Sequence, residues 1–227
     1  MADGPRFEVV LIAAGPTAWD LAGRLAGKTD LPLGPEGVQA AASAANAIAN
    51  LHPGALLSGP DEASTAFAAQ LGKPLSLKPK TLGGLAAMDL GLWEGMTKAQ
   101  LLERCPRVCK SMQTDPESIV PPSGESWAEV RTRALAAFFG ALPRKGGPVV
   151  VVARPSVIWV LRAALDELSG RPPVERDCSA CPSWGVPERL FFEPSPAVAG
   201  DRSGWLGLAG VGLGVIGLAA GPWPHRG

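Results

Sequence analysis

The chain has 227 residues, 46% of them apolar, with 21 basic against 21 acidic side chains. That length suits one α/β domain with a sizeable core plus a tail, and argues against two full domains. The balanced charge removes the long-range attraction that nucleic acid or an anionic membrane surface would exert, so neither is expected as a partner on that ground.

The opening MADGPRFEVV carries no basic n-region, so no secretory leader is expected and a cytoplasmic location is the default. From Phe7 an apolar run of strand length ends in Ala13-Ala14-Gly15 and enters a long loop. Pro35 to Asn50 is Ala-rich with few breakers, which predicts a helix ending near the turn His52-Pro53-Gly54. Ala55 to Ser58 follows as a second strand. Asp61 to Leu71 reads as a helix, with Asp61 and Glu62 in its first turn and Ala63, Phe67 and Leu71 at four-residue spacing. Leu75 to Leu77 is expected to be a third strand. This alternation predicts a three-layer α/β/α sandwich around a mostly parallel sheet.

Thr97 to Arg104 reads as a short helix. Ser126 with Glu129 forms a capping box, after which Val130, Ala134, Ala137 and Phe138 give a longer helix its apolar stripe. Pro148 to Ala153 contains four consecutive valines, as a strand buried on both faces would. Ser156 to Leu168 is helical in pattern, and Leu190 to Glu193 is a candidate last strand. The domain is drawn as residues 1–200 and the Gly-rich tail as 201–227.

Ser203 to Pro224 is a run of 22 uncharged residues, seven of them glycine. It has the length of a membrane span and Gly210 and Gly214 have helix-packing spacing, but glycine lowers both hydropathy and helix propensity. A flexible or surface-packed tail is the main reading, and membrane tethering through 203–224 the alternative. Gly212, Gly214 and Gly217 satisfy GxGxxG with no βαβ unit around them, so nucleotide binding is set aside. The cysteines form two pairs, Cys105/Cys109 and Cys178/Cys181, read as reduced thiols rather than a metal or redox centre. No cofactor or metal is expected.

Several ordered motifs carry a family resemblance. Thr17, Trp19, Gly23, Arg24, Asp30, Pro32, Leu33 and Gly37 match a frame of Thr-x-Trp-Asn, Gly-Arg and Asp-x-Pro-Leu-x-x-x-Gly. Gly91, Trp93, Glu94, Gly95 and Thr97 match Gly-x-Trp-Glu-Gly-x-Thr, and DPESIVPPSGES matches a Pro-Pro-x-Gly-Glu-Ser lead into a helix. Over roughly residues 7 to 165 the chain resembles the histidine phosphatase superfamily, the phosphoglycerate mutase-like proteins, with degenerate catalytic motifs.

The resemblance implies a motif Arg-His pair, a second Arg, a second His and an acidic proton donor, the parts that phosphoryl transfer requires. Here Ala13 and Ala14 stand at the Arg-His pair. Asp61, Glu62 and Ala63 stand where the second Arg is expected, Ala87 at the general acid, and Arg154 at the second His. The chain's two histidines, His52 in a turn and His225 in the tail, are in no position to substitute. These positions predict a pseudophosphatase that acts as a ligand- or protein-binding module. The alternative is a divergent phosphomonoesterase or phosphoglycerate mutase-like enzyme working through other residues.

Arg24, Arg154, Thr17 and Ser58 are the ligand-binding candidates, for a phosphorylated or carboxylate small molecule or a protein partner. The plainer expectation for the two arginines is that each pairs with an acidic neighbour. Ser58, Ser156 and Asp20 lie near strand ends, but a serine nucleophile needs a base, and Glu94 reads as a structural carboxylate.

Overall fold

Four valines set the middle of the sheet. The computed structural model describes residues 7–108, 118–143, 147–169 and 184–192. In it the strand Val149–Ala153 is buried at every position and is paired in parallel on both edges. A strand without a solvent face needs apolar residues on both sides, which is why its sequence does not alternate.

The strands are β1 (Phe7–Ala13), β2 (Ala55–Ser58), β3 (Lys80–Thr81), β4 (Val149–Ala153) and β5 (Glu188–Phe192), in the order β3-β2-β4-β1-β5. The first four run parallel, and β5 pairs antiparallel with β1. Among the described residues the α-helices include α1 (Ala18–Leu21), α2 (Pro35–Ile48), α3 (Glu62–Leu75), α4 (Lys98–Arg104), α5 (Trp127–Ala141) and α6 (Pro155–Leu168).

Because side chains alternate along a strand, β1 and β4 each feed two cores. Val9, Leu11 and Ala13 join Val149, Val151 and Ala153 beneath α5 and α6, with Phe138, Leu161 and Leu165. Val10, Ile12 and Ala14 join Val150 and Val152 beneath α2 and α3, with Ala44, Ile48 and Phe67. The three-layer sandwich expected from the sequence is therefore present.

Each helix start has a local cause. Pro35 occupies the first turn of α2, Asp61 caps α3 by accepting from the Ser64 N–H at 2.9 Å, and the Ser126–Glu129 capping box opens α5. The third strand differs from expectation. Leu75 belongs to α3, which ends with Ser76 left-handed (φ 55°) and the Leu77 N–H donating to the Gly72 carbonyl at 3.0 Å. This is a Schellman ending, so the leucines are a helix terminus and its apolar contact, and the strand lies further on at Lys80–Thr81. The last strand begins two residues earlier than expected, at Glu188.

Among the described residues no helix is long and apolar enough to cross a membrane. The tail 201–227 and Cys109, Cys178 and Cys181 lie outside the described residues. Cys105 is half-buried against a small cluster of Trp93, Leu101 and Ile119.

Candidate functional site

The inserted strand β4 separates β1 from β2, and at such a reversal of strand order the carboxyl ends of neighbouring strands form a crevice. Ala13, Ala14, Ala153 and Arg154 meet there, with the Ala14 N–H donating to the Ala153 carbonyl at 2.9 Å. Ala13 is 2% exposed and Ala14 not at all. Ala14 packs with the α2 alanines Ala41, Ala44 and Ala45, and Ala13 with the opposite core. The next residue, Gly15, touches α2 backbone to backbone, since a Cβ on it would stand 2.3 Å from the Gly37 Cα. Only a glycine permits that approach.

Arg154 follows β4 and precedes α6, and its side chain is 5% exposed. Its Nη2 donates to both Asp20 oxygens, at 2.8 and 2.7 Å, and Nη1 lies 3.5 Å from the Gly15 carbonyl. The Trp184 ring covers the guanidinium at 5.4 Å. Asp20 is itself held, because Thr17 donates to Asp20 Oδ2 from both its N–H and its hydroxyl at 2.7 Å, closing a capping box around α1. The buried cation thus has a partly buried anion, positioned by its own short helix.

A small solvent-open cleft lies beside this pair, lined by Thr17, Gly27, Thr29, Asp61, Ala63 and Arg154 among others. Of the four candidate ligand residues, Thr17 and Arg154 border it. Arg24 is not among its lining residues, and its Nη1 donates to the Gly95 carbonyl at 2.7 Å. Ser58 is fully buried with its hydroxyl on the Gly59 carbonyl at 2.8 Å. Ser156 accepts from the Met88 N–H at 3.3 Å, and His52 is an exposed left-handed turn residue before β2.

The neighbouring loops are fastened by two charged side chains. Glu94 accepts from the backbone N–H groups of Lys28 and Thr29, at 2.7 and 3.0 Å, and from the Thr29 hydroxyl. Gly95 beside it has φ +76° and leaves room for Trp19, which lies 3.1 Å from where its Cβ would be. Arg133 donates to the carbonyls of Gly84, Ala86 and Ala87, at 2.9, 2.7 and 3.0 Å, and pairs with Glu125 at 2.7 and 2.8 Å. Ala87, at the expected general-acid position, is 2% exposed. Burial pushes the Glu125 carboxyl up, but hydrogen bonds from Arg133 and the Asp89 N–H, with the charges of Arg133 and Lys28, hold it below its ordinary value.

Sequence reasoning named Arg154 and Asp20 separately and missed that they face each other. The available signal was charge: the resemblance sets Asp20 against an Asn and Arg154 against a His, and two departures of opposite sign invite a pair. Arg133 gave no such signal, since its carbonyl partners lie 46 to 49 residues away.

A strand-end crevice in a five-stranded sheet sandwiched by helices, with these loop motifs, defines a phosphatase-type fold. The chain belongs to the histidine phosphatase superfamily (branch 1), whose sequence profile matches residues 9–179. It is 28% identical over 169 residues to a glucosyl-3-phosphoglycerate phosphatase of Mycobacterium tuberculosis, covering 70% of this chain and 75% of that one. Among solved structures, a mycobacterial hydrolase superposes with a TM-score of 0.72 at 26% identity, over 82% of this chain and 91% of the other. The mycobacterial glucosyl-3-phosphoglycerate phosphatase in complex with VO3 superposes with a TM-score of 0.65 at 28% identity, over 71% and 83%.

Proposed function

We propose that the chain is a pseudophosphatase, a histidine phosphatase fold that binds a ligand or protein partner in the cytoplasm without performing phosphoryl transfer. The observation that carries this reading is Ala14. The resemblance puts its methyl group at the family's nucleophile position; it is fully buried among the alanines of α2 and has no lone pair to attack phosphorus. Ala87, buried beneath Arg133, supplies no proton to a leaving oxygen.

The second reading, a divergent phosphomonoesterase, draws on the similarity to a glucosyl-3-phosphoglycerate phosphatase. Phosphate release from glucosyl-3-phosphoglycerate and from generic phosphomonoesters, followed across a wide pH range, separates the two. The expected result is release no faster than in buffer. Turnover that disappears in Arg154→Ala overturns the pseudophosphatase reading in favour of the second.

A further inference from the structure

We propose that Asp20 is a built-in anion that occupies Arg154 and makes the cleft refuse phosphate and carboxylate ligands. This deepens the non-catalytic reading and rests on it.

The argument begins with charge. Asp61 and Arg154 are the ionic side chains among the residues lining the cleft, and with Asp20, which Arg154 holds, the three sum to −1. Asp61 lines the same cleft as Arg154, with one carboxylate oxygen on the Ser64 N–H and the other buried without a hydrogen-bond partner. An entering oxyanion therefore meets the Asp61 carboxylate and one guanidinium, and that guanidinium already donates to both Asp20 oxygens.

Displacing Asp20 is opposed by its surroundings. The Asp20 side chain is 12% exposed, and parting it from Arg154 leaves a nearly buried carboxylate without its cation. Thr17 holds the same carboxylate from the other side, so it cannot swing away without breaking the start of α1. Trp184 packs on the guanidinium face and Gly15 lies beside Nη1, so Arg154 cannot swing out to meet a ligand instead. Asp20 is also tethered, which keeps it at an effective concentration that no free anion in solution matches. If the pair opens about 1% of the time, the apparent affinity for an external anion falls about 100-fold.

The substitution Asp20→Asn removes the charge while keeping the shape and an oxygen for the Thr17 N–H. Inorganic phosphate, titrated calorimetrically, is expected to bind D20N at least about tenfold more tightly than the parent protein. Adding Asp61→Asn, which keeps a helix-capping side chain, moves the three-residue sum from 0 to +1 and is expected to tighten phosphate about tenfold further. D20N/R154Q is expected to lose the gain entirely. In the parent protein the Arg154 side-chain ¹⁵N resonances are expected not to move as phosphate is added.

Phosphate binding to D20N no tighter than to the parent overturns the proposal, as does a gain that survives R154Q. A shift of the parent's Arg154 resonances at submillimolar phosphate overturns it too, and that measurement holds even if the variants fail to fold. Hydrolysis by the parent would sink the non-catalytic reading by itself. A missing gain in D20N, without hydrolysis, sinks only the role of Asp20.

Discussion

The crevice at the ends of β1 and β4 and the loops around residues 84–97 both concentrate charged side chains, yet they use them in opposite ways. Around the loops, Glu94 and, from α5, Arg133 reach across the chain to backbone groups, fixing segments whose own regular structure is limited to single 3-10 turns. At the crevice, Asp20 and Arg154 mainly satisfy each other. Charge that serves the backbone shapes the loops, whereas charge paired with charge leaves Arg154 fewer free donors. The two regions thus put similar side chains to different structural uses on one sheet.

The comparison breaks most easily at Arg133. Arg133→Met leaves three carbonyls and a half-buried carboxylate without their donor, and is expected to lower stability by about 3 kcal/mol in urea denaturation. A loss under about 0.5 kcal/mol, in the range of ordinary surface substitutions, would mean that the loops are held by something else.

Next comes the crevice. Ala14→His puts an imidazole into close packing and is expected to cost about 2 kcal/mol, with no acid-labile phosphohistidine after incubation with a phosphodonor. A stable variant that becomes phosphorylated would show that the pocket has stayed open.

The smallest effect is on acid stability. Glu125 is held below its ordinary value, so its contribution is fully present above the ordinary carboxyl range and is lost as pH falls through the lower folded-state value. Urea midpoints of the parent protein are expected to fall as pH drops below about 4, and the Glu125 share of that fall should be missing in Arg133→Met. Parallel curves for the two proteins would detach the carboxyl from the arginine.

Much of the fold could be read because its causes are local. A run of valines, a Ser126–Glu129 capping box and the Ala-rich stretch from Pro35 each fix one element from adjacent residues. The third strand escaped because Leu75 and Leu77 suit a strand and a helix ending equally, and Gly72 decided the matter by accepting the closing hydrogen bond. The antiparallel direction of β5 is set by its place beside β1 at the sheet edge, which no local pattern records. At the site, Ala13, Ala14 and Arg154 could each be singled out one residue at a time. The Asp20–Arg154 pair was not, because it joins residues 134 positions apart.

The position of β4 between β1 and β2 also bears on how the chain comes together. Before residues 149–153 are made, β1 has no parallel partner and β2 can pair only with the two residues of β3. A growing chain thus holds Val9 to Ile12 as an unpaired apolar edge through most of its synthesis, the condition under which nascent chains draw on chaperones. One strand, arriving late, turns separate helical pieces into a sheet, and fragments that end before Val149 are expected to aggregate rather than fold.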